Sequence, residues 1–148
     1  MLNEENISEF LKANSIKPSY QRLKIYQYLI DKKNHPSVDM IFKELVHKIP
    51  TLSRTTVYNT LKLFIEKNIT SLLTIKENEA RFDADVSLHG HFLCTKCGTI
   101  YDIAIDKEFL KHEIFSHANI NEHHIYFKGE CNGYCDEHNE FNNICSNN

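Results

Sequence analysis

The sequence has 148 residues, of which 41% are hydrophobic and 25% charged, a composition typical of soluble globular proteins. The length suits one average domain or two small ones. No apolar run approaches the roughly 20 residues that a membrane-spanning helix needs. The acidic segment at residues 1–5 also lacks the basic-then-apolar order of a signal peptide. We therefore expect a cytoplasmic protein.

The net charge of -3 conceals an uneven distribution of charge along the chain. Residues 1–76 contain 12 Lys and Arg against 7 Asp and Glu, a net of +5, whereas residues 77–148 contain 5 against 13, a net of -8. A basic region attracts nucleic-acid phosphates, and clustered carboxylates attract cations. Random drift of charge is the alternative, but all five cysteines and seven of the nine histidines also lie beyond residue 77. We therefore expect two parts with different partners.

The first part of the chain is predicted to be helical. An amphipathic segment covers residues 3–13, and a second helix begins after Ser19, a residue type that caps helices well. Pro36 interrupts this helix, because the residue before a proline is disfavoured in the helical conformation. A third helix is expected from Ser37 to about residue 47, and Pro50 ends that segment.

A fourth helix is predicted to begin near Ser53, with apolar residues at i, i+4, i+7 and i+8 from Val57 forming a buried stripe. Residues 70–75 and 80–83 are predicted to be strands of one hairpin. Helices followed by a hairpin are the order of a winged helix-turn-helix, although helical bundles without DNA binding share it. In the winged-helix interpretation the fourth helix enters the major groove with a polar face made of Arg54, Thr55, Tyr58, Asn59 and Lys62.

The second part of the chain has a different pattern. Residues 99–105 are rich in Thr, Ile and Tyr and are predicted to form a strand. A helix capped by Asp106 is expected to reach about residue 117, and residues 124–129 alternate as a strand does. Residues 139–148 are rich in Asn and Ser and are expected to be a disordered tail. The fold class predicted is therefore α+β, with a winged-helix domain followed by a small α/β domain.

The cysteine spacing predicts a zinc site in the second part. Cys94 and Cys97 are separated by two residues, and Gly98 allows the tight turn between them. Cys131 and Cys135 form a second pair about 35 residues later, and four thiolates suit tetrahedral zinc. A structural zinc would contribute folding free energy directly to so small a domain.

Two questions about these cysteines stay open at the level of sequence. Cys94 and Cys97 would also suit a thioredoxin-like redox pair, but such a pair precedes a helix, and here a strand follows. His138, three residues beyond Cys135, is an alternative fourth zinc ligand. Cys145, in the predicted tail, is interpreted as a bystander.

A second cluster of metal-binding residue types precedes the cysteines. His89 and His91 are two residues apart, so that in an extended chain both rings lie on one face. Asp83 and Asp102 lie close to them in sequence. Imidazole and carboxylate together suit Fe(II), Mn(II) or Zn(II). A His-x-His pair is often merely a pair of surface residues, and the neighbouring zinc motif is what favours the metal-site interpretation.

Taken in order, these motifs resemble the ferric uptake regulator (Fur) family of bacterial metal-dependent repressors. The resemblance extends from about Lys17 to His138. It is closest to the peroxide-responsive branch, because Asp stands at 83 and 102 where iron-sensing members usually have Glu; Asn59 favours the same branch. The segments that carry it are Gln21-Arg22, His35-Pro36-Ser37, Thr55-Thr56-Val57-Tyr58-Asn59-Thr60-Leu61, Arg81-Phe82-Asp83 and His89 to Gly98.

The resemblance implies a regulatory metal site for Fe(II) or Mn(II) as well as the structural zinc. Peroxide would react at bound Fe(II) and add an oxygen atom to a ligand histidine, which His35 and His89 match, and DNA would be released. Mn(II) would give a repressor insensitive to peroxide. The five ligands implied are His35, Asp83, His89, His91 and Asp102.

The resemblance also implies partners and domains. We expect a homodimer that binds double-stranded operator DNA, with a DNA-binding domain at 1–82 and a metal-binding dimerisation domain at 83–138. The residues expected to bind DNA also include Tyr20 and Arg22. The alternatives are an iron- or zinc-availability regulator of the same family and a metal-buffer module without DNA binding. We expect no enzyme, because a zinc deaminase needs a His-x-Glu before its cysteine pair, and the sequence has none there.

The sequence departs from the family pattern at its second cysteine pair. Three residues separate Cys131 from Cys135, where the family usually has two, so either Cys135 or His138 completes the zinc site. An accessory site built from histidine and glutamate occurs in some members, although exposed histidines are the simpler interpretation here. The histidines that could contribute to it are His112, His117, His123 and His124.

Overall fold

Residues 3–133 are described in the computed structural model, and the chain divides into two units between Val86 and Ser87. Both helices and sheets are present, which confirms the α+β class. The functional domains predicted at 1–82 and 83–138 stay predictions. The expected tail at 139–148 lies outside the described residues, as do Cys135, His138 and Cys145.

Four helices make up most of the first unit, and each begins with a side-chain cap. The side chains of Asn3, Ser19, Ser37 and Ser53 each accept a hydrogen bond from the backbone N–H three residues later. Such caps satisfy N–H groups that the helix itself leaves without acceptors. The predicted starts after Ser19, at Ser37 and near Ser53 are therefore confirmed. The helices are α1 (Glu4–Ala13), α2 (Tyr20–Lys32), α3 (Val38–Leu45) and α4 (Arg54–Glu66).

The core of the first unit is formed by the apolar faces of these helices. The predicted stripe of α4 is largely confirmed, since Val57, Leu61 and Phe64 are fully buried. Ile7 of α1 and Ile25 of α2 are also fully buried in the same cluster. Burial of this stripe leaves the opposite face of α4 in solvent.

The predicted hairpin is confirmed as two antiparallel strands, β1 (Ser71–Lys76) and β2 (Glu79–Asp83). Phe82 is buried in the helical core, and Leu73 and Ile75, on the other face of the hairpin, are also buried. Helices followed by this hairpin give the first unit the element order of a winged helix. We call the hairpin β1–β2 the wing.

A three-stranded sheet forms the centre of the second unit. Its strands are β3 (His89–Cys94), β4 (Ile100–Ala104) and β5 (Tyr126–Gly129), in the order β4-β3-β5. β4 runs antiparallel to β3, and β5 runs parallel to it. The strands predicted at 99–105 and 124–129 are confirmed within a few residues, whereas β3 itself was not predicted as a paired strand.

The helical segment predicted from Asp106 to about residue 117 is confirmed in part, because it is divided into two pieces. Asp106 does cap a helical segment, but that segment is a 3-10 helix at Lys107–Lys111, followed by a separate four-residue helix, α5 (Glu113–Ser116). The backbone of His112 is extended between them (φ -59°, ψ 136°). Neither piece buries a residue, and a short helix without a buried face is unstable in water.

Among residues 3–133, no helix is both long and apolar enough to cross a membrane.

We predict that Ser53→Ala will destabilise the first unit by about 1 kcal/mol, because the N–H of Thr56, at the start of α4, then loses its acceptor. Urea unfolding followed by helical circular dichroism would measure this change. Ser53→Thr keeps the hydroxyl and should behave like the unaltered protein. Equal midpoints for the Ala and Thr variants would contradict the assignment of Ser53 as a cap.

Candidate metal centres and nucleic-acid surface

His35 and Asp83 form an ion-pair contact inside the first unit. His35 Nε2 lies 3.5 Å from Asp83 Oδ2, and both side chains are largely buried. His35 lies in the loop between α2 and α3, and Asp83 ends β2. The two segments are joined by a backbone hydrogen bond in which the N–H of Phe82 donates to the carbonyl of Pro36, at 3.0 Å. The imidazole nitrogen and the carboxylate oxygen are thus close enough to each other to bind the same metal ion.

Arg81 is a functional candidate that our sequence reasoning missed. Its guanidinium donates from Nη1 to the carbonyl of His35, at 3.0 Å, and from Nε to Glu79 Oε2, also at 3.0 Å. Although burial opposes ionisation of Glu79, the hydrogen bond and charge of Arg81 hold the pKa of that carboxyl below its usual value. The link between Arg81 and His35 joins residues 46 positions apart, so no local sequence pattern signals it.

Three further potential ligands lie together in the second unit. His89 and His91 occupy one face of β3, and the β3–β4 register places Asp102 directly opposite His91. The two imidazole Nε2 atoms are 3.0 Å apart, and each is 3.6 Å from Asp102 Oδ1. Gly90 faces the other way, where an added Cβ would come within 3.2 Å of Ile105 and 3.3 Å of Ile125.

The donor types of these residues fit a divalent transition metal. Two imidazoles and one carboxylate on one face are the ligand set typical of non-haem Fe(II) sites with open positions. His35 and Asp83 offer the same two donor types in the first unit. Mn(II) also accepts imidazole and carboxylate, so this donor set does not discriminate between the two ions.

Three cysteines form a separate cluster in the second unit. The Sγ atoms of Cys94, Cys97 and Cys131 all lie within 4.8 Å of one another. Cys94 ends β3, and Gly98, at a φ of 75°, makes the turn towards β4. The fourth predicted zinc ligand, Cys135, and its alternative, His138, lie outside the described residues.

The protonation state of Cys94 favours metal binding. Burial alone would raise the pKa of this thiol, but hydrogen bonds from the backbone N–H groups of Cys97, Cys131 and Lys96 outweigh it and lower the pKa to about 7. The thiolate is the form that binds metals. Binding of zinc by all three sulfur atoms requires them to be reduced thiolates.

The exposed face of α4 presents the side chains expected to contact DNA. Tyr58 is 55% exposed, and Thr55, Asn59 and Lys62 are also exposed. Arg54 is fixed at the start of the helix, since its Nε donates to Asp39 at 2.8 Å and its guanidinium stacks on Phe42, 4.2 Å from the ring centroid.

The start of α2 extends this surface. Tyr20 is 53% exposed, and Arg22 is fixed by a hydrogen bond from Nη1 to the carbonyl of Lys17, at 2.7 Å. Arg22 and Asn59 line one cleft, together with Lys17, Gln21 and Thr56, which were not among the predicted DNA-binding residues.

The four histidines of the suggested accessory site are not brought together. His124 contacts Tyr126 and Glu122, at 3.0 and 3.3 Å. Within residues 3–133, neither it nor His112, His117 or His123 belongs to a cluster of three or more potential metal ligands.

Comparison with known proteins gives consistent matches. The model of the "Ferric uptake regulator family" matches residues 13–128. The peroxide-responsive repressor PerR of Staphylococcus epidermidis is 32% identical over 131 residues, which cover 86% of this chain and 87% of that protein. The crystal structure of the Vibrio cholerae ferric uptake regulator is 25% identical, with a TM-score of 0.70 over 84% of this chain and 98% of that one. PerR from Streptococcus pyogenes, whose structure concerns peroxide sensing and gene regulation, is 27% identical, with a TM-score of 0.51 over 89% and 92% of the two chains.

Proposed function

The chain belongs to the ferric uptake regulator family, and from this premise we propose that it is a metal-dependent repressor released from operator DNA by peroxide. The observation that carries the proposal is that histidine and aspartate side chains, which can bind a metal, lie together in each unit. Two histidines and an aspartate lie together in the second unit, and a histidine and an aspartate lie together in the first. All five are the residue types that the peroxide-responsive branch uses.

The first unit supplies the DNA-binding surface. Its winged-helix order, its net positive charge and the exposed polar face of α4 fit insertion of α4 into the major groove. Arg54 is held by Asp39 and Phe42 before DNA arrives, so less side-chain entropy is lost when it binds. Tyr20 and Arg22 extend the surface to the start of α2 and would contact the DNA backbone.

We propose that His35 and Asp83 bind the same Fe(II) or Mn(II) ion as His89, His91 and Asp102. Bound Fe(II) would activate peroxide beside the imidazoles. The ring that gains one peroxide oxygen would give up the two electrons that reduce peroxide, and the second oxygen would leave as water. The role of the protein is to hold five donors and leave one position open. His35 and His89 are the side chains proposed to gain an oxygen atom. An oxidised imidazole is a poorer donor, and its loss would shift the protein away from the conformer that binds DNA.

The second unit serves as the dimerisation domain in this proposal. Large apolar side chains are exposed there, among them Phe109 (59%), Ile114 (56%) and Phe127 (51%). Exposed apolar residues of this size are typical of interaction surfaces. A homodimer would present two winged helices to the two halves of an operator. Since its DNA target is chromosomal, we place the protein in the cytoplasm.

We predict that reduced, zinc-loaded protein will retard operator DNA in gel-shift assays only when Mn(II) or Fe(II) is added. Hydrogen peroxide should release the DNA from the Fe(II) protein but not from the Mn(II) protein. Peptide mass analysis should then find one added oxygen atom on a peptide containing His35 or His89.

His35→Ala removes one proposed ligand and should abolish metal-dependent DNA binding while keeping helix content and zinc. DNA retention that ignores the metal would contradict the repressor proposal as a whole. Metal-dependent retention without peroxide sensitivity would instead identify a metal-availability regulator.

We predict that Tyr58→Ala will weaken specific DNA binding by about 1–3 kcal/mol, the usual cost of a lost base contact. Metal binding should not change, because Tyr58 lies on the exposed face of α4. Fluorescence anisotropy with labelled operator DNA measures the affinity, and Tyr58→Phe separates the ring from the hydroxyl. Unchanged affinity in Tyr58→Ala would exclude this face of α4 from the DNA interface.

We predict that Cys94→Ser will lose stoichiometric zinc and the folded second unit, because a structural zinc supplies much of the folding free energy of a small domain. Zinc content by atomic absorption and near-ultraviolet circular dichroism would report both. Cys145→Ser is the matched control and should keep zinc. Full zinc occupancy in Cys94→Ser would refute the proposed site.

A further inference from the structure

The guanidinium of Arg81 connects the wing to the loop that carries His35. Nη1 donates to the carbonyl of His35 at 3.0 Å, while Nε and Nη2 lie 3.0 and 2.9 Å from Glu79 Oε2. The Arg81 side chain is only 10% exposed. A buried guanidinium that satisfies two acceptors in different segments fixes the distance between those segments.

The backbone at His35 requires such support. Its φ is 47°, in the left-handed region that residues with a Cβ seldom adopt. A residue persists there only when its surroundings determine its conformation. The residues after it are fixed independently, because the Pro36 carbonyl accepts from the N–H of Phe82 and Ser37 caps α3. Arg81 holds the His35 carbonyl itself.

We propose that Arg81 is a positioning residue for His35, holding its left-handed backbone so that the imidazole lies beside Asp83 before any metal binds. Glu79 holds the guanidinium in the orientation that this requires. The effect on metal binding rests on the proposed function, in which His35 is a ligand, whereas the effect on the loop does not. Because Arg81 belongs to β2, the same contact ties the wing to the conformation of the ligand loop.

The test compares two variants of the full-length, reduced, zinc-loaded protein. Arg81→Met keeps most of the side-chain volume and removes every donor. Lys76→Met is the matched control, because it removes a positive charge from the same hairpin, 3.8 Å from the same Glu79 oxygen. Mn(II) affinity is measured by isothermal titration calorimetry. Hydrogen exchange of the amides from His35 to Met40 is measured in protein without Mn(II).

We expect Arg81→Met to bind Mn(II) about 10- to 100-fold more weakly, the usual result of losing a residue that orients a metal ligand. Its loop amides should exchange faster, and Lys76→Met should match the unaltered protein in both measurements. Unchanged affinity and unchanged exchange in Arg81→Met would overturn the proposal.

A second variant decides the question if Arg81→Met does not fold. Arg81→Lys keeps the charge, but a single ammonium lacks the fork that serves both acceptors. Weaker Mn(II) binding with unchanged helix content would support the proposal, and unaltered affinity would overturn it. If the unaltered protein shows no Mn(II) binding that His35→Ala removes, the proposed function fails. Hydrogen exchange in the variants still decides the role of Arg81.

Discussion

The hydrogen bond from the Phe82 N–H to the Pro36 carbonyl joins the wing to the loop before α3, and the proximity of His35 to Asp83 depends on it. His35 and Asp83 are distant in sequence and belong to different elements, yet this contact leaves their side chains 3.5 Å apart. Burying an imidazole and a carboxylate separately would be costly, so each partner stabilises the other. A change in the bonding of His35 would therefore act directly on β2 and the wing.

In the second unit, the pairing of β3 with β4 is what brings the potential metal ligands together. A shift of one residue in this register would turn His89 and His91 to the opposite face and separate them from Asp102. Cys94 ends the same strand, so the proposed zinc site and the proposed sensing site share β3. Few side chains of this unit are buried: Leu93, Cys94, Ile100 and Cys131 are its buried apolar residues among those described. In our proposal the zinc therefore stabilises the strand on which sensing depends.

The parts of the fold that the sequence predicted are those governed by local chemistry. Ser19, Ser37 and Ser53 signal helix starts because capping involves residues three positions apart, and the wing follows from two strands and a short turn. The helical segment expected over 106–117 is present but divided at His112, because an apolar pattern does not reveal whether its face is buried within the same chain. Phe109 and Ile114 are exposed here, so the described residues give one continuous helix no buried face.

The candidate site likewise has features that follow from local sequence and features that do not. His89, His91 and Cys94 follow from spacing, since alternation along a strand places the two histidines on one face. The contact from Arg81 to the His35 carbonyl could not be predicted, because it spans 46 residues and its acceptor is a backbone atom that any residue would offer. The left-handed backbone of His35 was equally hidden, since residues other than glycine rarely adopt it.

Neither unit alone supplies the five donors of the proposed site, and this division is what would convert chemistry into regulation. His35 and Asp83 offer two donors from the first unit, while His89, His91 and Asp102 offer three from the second. A metal ion would favour a conformer in which all five residues bind it only to the extent that five ligands bind it more tightly than the two or three of one unit. In our proposal, oxidation of His35 or His89 would remove one ligand and so weaken this preference, whichever unit carries the oxidised residue. The same five residues would bind Fe(II) and Mn(II), so sensitivity to peroxide would depend on which ion they hold. Release from DNA would depend on the change of conformer that follows the loss of a ligand.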